Sequence, residues 1–229
     1  MNDRVTRSDR VSATKERILV AAERLIAEHG PSGVSNRRIG QAAGQGNNTA
    51  VTYHFGSKAA LVRAIARKHT EGIEEIRLGM VASVDGSTEV RDWVSCMVEP
   101  FVQHLADLGT PSWYARFTVQ VMSDLSLREI VTREALDCSS LVRVGEALRA
   151  CLPDLPDEVR AERQDMTRQL MLLTLAQRER ALSEGTDTRR DSWNRAAVGL
   201  TDALTGLWLA PVTDVPEPGE PEVVRSTRS

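Results

Sequence analysis

Between residues 47 and 58 the chain carries side chains that suit contact with nucleic acid better than catalysis. The segment 47–55 has no Glu or Lys, which a helix exposed to water alone more often carries. Short donors and acceptors can bond base edges and phosphates in the major groove, whereas Glu would repel phosphate. The composition of this segment therefore predicts a surface that faces DNA. Its amides, hydroxyls and phenol are Asn47, Asn48, Thr49, Thr52 and Tyr53.

The sequence does not indicate enzymatic or metal chemistry. It has no Gly-rich phosphate loop, no GxSxG or HExxH motif and no carboxylate pair at a defensible spacing. The four histidines are scattered at His29, His54, His69 and His104, and His104 is expected to face water. The three cysteines form no CxxC pair, which predicts buried free thiols in a reducing compartment. We predict no catalytic residue, no metal ligand and no cofactor, and an enzyme is only a remote alternative.

Charge is divided unevenly along the 229 residues, whose net charge is −3. Residues 1–58 contain nine Lys and Arg against five acids, a balance of +4 that leaves −7 for the rest. A basic head on an acidic body favours a polyanion contact confined to the head, and argues against a nucleoid-type binder that ignores sequence. No apolar run approaches the roughly 18 residues of a membrane span, and MNDRVTRSDR is no signal peptide. We expect a cytoplasmic protein without a membrane partner.

Hydrophobic periodicity predicts an all-α chain of about nine helices, because strand signals are missing. The first helix is predicted over Ser12–His29 and is stopped by a Gly-Pro pair. Ser35 is expected to cap a second helix, a third covers about Asn47–Tyr53, and Ser57 caps a long fourth helix that ends near Val81. The second and third form a helix-turn-helix outline, with a glycine-rich turn between them.

The body is predicted to hold five further helices. Their expected ranges are Thr88–Leu108, Ser112–Met122, Leu125–Leu152, Pro156–Leu182 and Arg189–Leu209. The corresponding domain prediction has a flexible arm at 1–11, a three-helix DNA-binding domain at 12–57 and a larger helical domain at 58–210. Residues 211–229 hold prolines and charges with little to bury, which predicts a disordered tail.

Three segments carry a family resemblance. They read ILVAAERLIAEHG from residue 18, VSNRRIGQAAG from residue 34 and TYHFGSKAALVRAI from residue 52. In order and spacing, residues 14–61 resemble the N-terminal domain of the tetracycline-repressor (TetR) family of bacterial transcription regulators. The chain also resembles a subgroup whose recognition helix reads Asn-Asn-Thr-Ala-Val-x-Tyr-His-Phe-Gly. It departs from the commonest family form at Ala50 and Thr52, where that form has Thr and Tyr, and its Tyr53 lies one place further on.

The resemblance implies roles for the head residues. Lys58 would bind backbone phosphate at the start of the fourth helix, where the helix N-terminus also favours an anion. Asn47 or Asn48 would read adenine, although a capping role for Asn47 stays open. His54 is more often a packed or capping histidine than a reader of bases, so that role stays open. The predicted DNA-binding set is Arg37, Arg38, Asn47, Asn48, Thr49, Thr52, Tyr53, His54 and Lys58.

The resemblance also implies a body that binds a small molecule and forms a homodimer on a palindromic double-stranded DNA operator. Such a protein would most simply be a repressor that an apolar or aromatic effector releases. An activator or a regulator of several promoters is the alternative. The predicted effector-binding set is Trp93, Met97, Phe101, Trp113, Phe117, Met122 and Met171. The predicted dimer interface is Leu170, Leu173, Ala196, Leu200, Ala203, Leu204 and Leu207.

Overall fold

The computed structural model describes residues 7–47, 49–186, 188 and 192–213. Within these residues it contains ten α-helices and no strand, so the predicted all-α class is confirmed and the predicted number of helices is one too low. The helices are α1 Arg7–His29, α2 Asn36–Ala42, α3 Ala50–Phe55, α4 Lys58–Ser83, α5 Val90–Leu108, α6 Tyr114–Met122, α7 Arg128–Leu136, α8 Ser139–Cys151, α9 Asp157–Ser183 and α10 Trp193–Leu209.

The first three helices enclose a small apolar core. Ile26 of α1, Ile39 of α2 and Val51 of α3 are fully or almost fully buried, and Phe55 packs against the same core. Gly44 has a φ of +68°, the left-handed conformation that a glycine adopts readily in the turn between α2 and α3. This core fixes the orientation of α3 within the head.

Serine side chains cap the N-termini of α2 and α4 at the predicted positions. Ser35 Oγ accepts the Arg38 amide at 3.2 Å, and Ser57 Oγ accepts the Ala60 amide at 3.1 Å. Each bond satisfies an amide that the helix itself leaves unpaired. The cap at Ser57 places the start of α4 directly after α3, so that α4 leads from the head into the body.

In the head, the starts of α1 and α3 differ from the prediction. α1 already begins at Arg7, so the described part of the predicted arm at 1–11 is helical, while residues 1–6 and most of the predicted tail lie outside the described residues. α3 begins at Ala50 and not at Asn47. The side-chain oxygen of Asn47 accepts the Thr49 amide at 2.9 Å and the Thr49 hydroxyl at 2.7 Å. This local turn competes with helix formation and delays the start of α3.

The single helix predicted over 125–152 is divided into α7 and α8. The carboxylate of Glu74, in α4, accepts the backbone amide of Ser140 at 3.0 Å and the hydroxyls of Ser139 and Ser140. Burial alone would raise the pKa of Glu74, but the bonds from Ser140 hold it below its usual range. The distant carboxylate thus caps a new helix inside a segment whose own periodicity is continuous, which accounts for the tenth helix.

A second carboxylate caps α6 from α9. Glu179 is 1% exposed, and it accepts the amides of Ala115 and Arg116 at 3.1 and 3.0 Å. It also accepts the Ser112 hydroxyl and the Arg116 guanidinium, both at 3.0 Å. A buried carboxylate that is this fully paired connects α6 to α9 strongly, and it is costly to neutralise.

We expect Glu179→Gln to lower the free energy of unfolding by about 3 kcal/mol, because the amide keeps the shape but leaves the half-buried Arg116 without its counter-charge. Urea denaturation followed by circular dichroism would measure the change. Glu184→Gln, at an exposed position just beyond α9, is the matched control and should stay within about 0.5 kcal/mol of wild type. Equal stabilities for the two variants would contradict this role of Glu179.

Candidate DNA-binding site and its link to the body

The outer face of α3 exposes polar groups while its inner face packs into the head. Tyr53 is 81% exposed, and Thr49 and Thr52 are exposed beside it. Ala50 and Val51 are buried. The departure from the commonest family form at Ala50 therefore falls on a packing position, whereas Tyr53 presents its phenol to solvent.

Hydrogen bonding within the head limits what the α3 face can recognise. The carbonyl oxygen of the Asn47 side chain is used by Thr49, so only the NH₂ group of Asn47 remains for a partner. The paired bonds by which Asn reads adenine need both groups. Thr52 accepts a long bond of 3.5 Å from Asn36, which leaves its hydroxyl hydrogen free to donate. Asn48 lies outside the described residues.

Lys58 holds the head together instead of projecting from it. Its ammonium donates to the carbonyls of Pro31 at 2.7 Å and Val34 at 2.6 Å, in the loop between α1 and α2. An ammonium has three donors, so one remains for a phosphate. The sequence predicted the phosphate contact and did not predict these two bonds.

The other predicted cations and His54 lie around this face. Arg37 and Arg38 are exposed at the start of α2, and Arg38 Nη2 lies 2.7 Å from His29 Nε2. His54 is half-buried, with its ring edge-on to Tyr53 at a centroid distance of 5.0 Å. The half-buried ring of His54 fits the packed role that the sequence left open.

The segment that contains this surface also lacks acidic residues. No Asp or Glu occurs between residues 29 and 70. A segment that supplies α2, α3 and the first half of α4 is therefore free of groups that would repel phosphate. Its cations are Arg37, Arg38 and Lys58 in the head, and Arg63, Arg67 and Lys68 further along α4. The last three pair with Glu134, Glu71 and Glu16.

A buried polar chain joins the head to the body. Glu23 Oε2 of α1 lies 2.9 Å from His69 Nε2 of α4, and His69 Nδ1 lies 2.8 Å from His104 Nε2 of α5. Tyr114 of α6 stacks on the His69 ring at a centroid distance of 3.8 Å. We call these four residues the joint. The expectation that His104 faces water is wrong, because its ring is half-buried and bonded to His69.

The joint has a defined arrangement of protons when its histidines are neutral. The Glu23 carboxylate accepts only, so His69 Nε2 donates to it and His69 Nδ1 accepts from His104. Both rings cannot be protonated at once without two N–H groups meeting at 2.8 Å. A side chain at Gly72 would come within 3.1 Å of His104 Nδ1, so the glycine allows this close approach.

Comparisons with known proteins identify the fold of both halves. Residues 18–65 match the model described as "Bacterial regulatory proteins, tetR family", and residues 95–206 match "Tetracyclin repressor-like, C-terminal domain". The HTH-type transcriptional repressor AcnR of Corynebacterium efficiens is 30% identical over 141 residues, which are 57% of this chain and 71% of that protein. The chain belongs to the TetR family. It is a transcriptional regulator of that family and not an enzyme.

One further curated relative and one solved structure are also similar to the chain. AcnR of Corynebacterium glutamicum is 32% identical over 105 residues, which are 42% of this chain and 53% of that protein. The crystal structure of the TetR family regulator PfmR from Thermus thermophilus superposes with a TM-score of 0.52 at 16% identity, covering 82% of this chain and 97% of PfmR. The superposition with PfmR supports the fold alone.

The predicted effector set of this TetR family regulator is spread over several environments. Phe101 and Phe117 are buried and stack on Tyr114 at centroid distances of 5.6 and 6.3 Å, next to the joint. Trp93 lines a groove of about 450 Å³ beside α8, whereas Trp113 lines a separate groove beside α1. The two tryptophans are therefore not parts of one pocket. The remaining members are half-buried, namely Met97, Met122 and Met171.

The residues of the predicted dimer interface also differ in exposure. Leu170 and Leu173 are exposed on α9, and Ala203 is exposed on α10. Leu200 and Leu204 are buried in the core of the subunit, so they are not available to a partner. They share the inward face of α10 because they lie one turn apart. Ala196 and Leu207 are half-buried. The sequence analysis missed three exposed apolar side chains, Met166, Val198 and Leu209.

Within the described residues, no helix of the regulator is long and apolar enough to cross a membrane. The same part of the chain contains no cluster of His, Cys, Asp or Glu suited to a metal ion. The thiols of Cys96 and Cys138 are buried and free, and burial raises the pKa of each to about 11.

The joint predicts a pH dependence of stability. Burial and then His69 lower the pKa of His104 to about 4, with Lys68 acting in the same direction and Asp107 against it. The unfolded chain binds a proton near the ordinary pKa of about 6.5, and the folded chain does not. The free energy of unfolding should therefore fall as the pH drops from about 6.5 to about 4.

Urea midpoints at pH 7.5 and pH 4.5 would measure this loss in wild type and in His104→Gln, which keeps a donor for His69. The loss should be smaller in His104→Gln, because the titrating ring is gone, and unchanged in His54→Gln outside the joint. Identical losses in all three proteins would remove His104 from the pH dependence.

Proposed function

We propose that this TetR family regulator is a repressor that binds a palindromic DNA operator as a homodimer and is released by a small apolar or aromatic molecule. The observation that carries the proposal is the acid-free segment 29–70 with the exposed polar face of α3 inside it. In this proposal residues 12–57 bind DNA, and residues 58–210 bind the effector and form the dimer. The relatives AcnR are named transcriptional repressors, which supports repression over activation.

The proposed DNA contacts differ in kind. Asn47 would act as a donor to base edges or phosphates, because its side-chain oxygen is already occupied. Thr52, whose hydroxyl oxygen accepts from Asn36, would also donate, and Tyr53 would offer its exposed hydroxyl. Acceptors in the major groove include O6 and N7 of guanine and O4 of thymine. Lys58 would add its third donor to a phosphate. The full proposed set remains Arg37, Arg38, Asn47, Asn48, Thr49, Thr52, Tyr53, His54 and Lys58.

The proposed dimer uses an apolar stripe that the subunit leaves uncovered. Met166, Leu170 and Leu173 lie at the spacing i, i+4, i+7 on α9, and all three are between 41% and 50% exposed. Val198 and Leu209 are exposed on α10. Two such helix pairs would form a four-helix interface. A two-fold axis there would set two α3 helices one helical turn of DNA apart, about 34–36 Å.

The proposed release acts through the joint. An effector that binds among the body helices, near Phe101 and Phe117 or beside Trp93, would move α4, α5 or α6. Each of these helices contributes one residue to the joint, and Glu23 of α1 is its fourth residue. A coupling of about 1–3 kcal/mol would lower operator affinity roughly 5- to 150-fold.

Selection of fragments from a random duplex library with the full-length protein tests DNA recognition. The expected product is a palindrome whose half-site centres lie about 34–36 Å apart. Tyr53→Ala should weaken binding to it by roughly tenfold or more, since an exposed contact is lost without a change in the core. Leu136→Ala, an exposed leucine on α7, is the control. Recovery of fragments without a common motif, or wild-type binding by Tyr53→Ala, would contradict the proposed reading surface.

The oligomeric state tests the proposed interface separately. Light scattering after gel filtration should give a dimer for wild type and a monomer for the double variant Leu170→Asp/Leu173→Asp, because two carboxylates would have to be buried at the contact. Leu136→Asp introduces a charge at another exposed leucine and should remain dimeric. A monomeric wild type or a dimeric double variant would overturn this choice of face.

A further inference from the structure

A groove lies where the outer side of α1 meets α2 and the start of α6. It is lined by residues of the head from α1 and from the end of α2, and by Trp113, the residue before α6 in the body. Its volume is about 210 Å³, the size range of a small organic molecule. We call it the junction groove. Its lining residues are Arg17, Val20, Ala21, Arg24, Ala42, Ala43 and Trp113.

Two cations flank an apolar floor in the junction groove. Arg17 and Arg24 are seven residues apart on α1, which places them on the same side two turns apart. Both are exposed, and neither forms an ion pair with a carboxylate among the described residues. Between them lies Val20, which is 45% exposed.

This arrangement selects for one chemistry. A guanidinium binds a carboxylate through two parallel hydrogen bonds, and it stays charged at any physiological pH. The side chains of Val20 and Trp113 offer an apolar surface that water covers poorly. A ligand with both a carboxylate and an apolar body satisfies the two parts at once, whereas a bare anion satisfies only the arginines.

We propose that the junction groove binds a small carboxylate with an aromatic or short aliphatic body. Trp113 belongs to the predicted effector-binding set, but the junction groove is distinct from the groove beside Trp93, and neither Phe101 nor Phe117 lines it. The proposal does not depend on the effector proposed for the body. Two of its lining residues are next in sequence to residues of the joint, since Arg24 follows Glu23 and Trp113 precedes Tyr114. A bound molecule contacts α1 and α2 of the head and the first residue before α6, so it favours the arrangement in which head and body are packed together.

The test uses the full-length protein and 4-fluorobenzoate as the probe, followed by ¹⁹F NMR titration. The neutral isostere 4-fluorobenzamide and inorganic phosphate are the comparison compounds. We expect saturable binding of the benzoate and a thermal midpoint that rises with its concentration, because the ligand binds the folded state. The amide should bind at least about tenfold more weakly, since it lacks the charge that the guanidiniums pair with. Phosphate should also bind more weakly, since it leaves the apolar floor uncovered.

The double variant Arg17→Gln/Arg24→Gln locates the site. It should bind the benzoate roughly tenfold more weakly or not at all, because hydrogen bonds to two charged groups are lost. Arg128→Gln/Arg149→Gln removes the same two charges from exposed positions on α7 and α8 and should bind as wild type does. Both positions of the test variant are exposed, so its helical content and thermal midpoint without probe should match wild type.

Three results would overturn the proposal. The first is unchanged benzoate affinity in Arg17→Gln/Arg24→Gln. The second is equal affinity for 4-fluorobenzamide, which would mean that the arginines do not select charge. The third is equal affinity for phosphate, which would mean that the arginines bind any anion and the apolar floor contributes nothing. None of these results depends on whether the protein binds an operator.

Discussion

The buried hydrogen bonds from Glu23 through His69 to His104 are the interaction on which the arrangement of the two halves depends. They connect α1 of the head to α4 and α5 of the body, and Tyr114 adds α6 through its stacked ring. Polar groups removed from water must keep their partners, since an unpaired one costs more than the bond itself provides. The head therefore cannot rotate on the body by small steps without breaking this chain.

The joint crosses the predicted boundary between the two domains near residue 57. A division between α3 and α4 follows the sequence pattern, yet Glu23 of the first helix is buried among residues of the body. α1 thus belongs to both halves, and α4 begins in the head at Lys58. A motion of the body helices reaches α3 through packed elements on two sides. Packed polar networks of this kind tend to switch between discrete arrangements and to resist gradual deformation.

Local chemistry explains which features the sequence could predict. The caps at Ser35 and Ser57 depend on amides three residues away, and the structure confirms them. The break before Ser139 depends on Glu74, which lies 65 residues away. No periodicity within α7 and α8 carries that information, because the capping group belongs to another helix.

The same distinction holds for the candidate sites. The polar face of α3 could be predicted because its residues are consecutive. His69 and His104 are 35 residues apart, so their pairing follows only from the packing of α4 on α5. On α10 the sequence showed a continuous run of small and apolar residues. The packing of α10 decides that Leu200 and Leu204 face inward while Val198 faces outward.

Lys58 and Tyr53 differ in what they do for the structure of the head. Lys58 stabilises the head through its two bonds to backbone carbonyls. An arginine has a planar fork that does not reproduce an ammonium held between the carbonyls of Pro31 and Val34. Tyr53, by contrast, is largely surrounded by solvent and supports no part of the core. If α3 reads the operator as proposed, a new operator sequence could be accommodated during divergence by replacing such side chains at little cost to stability. The core of the head and the bonds of Lys58, which hold α3 in place, would stay unchanged.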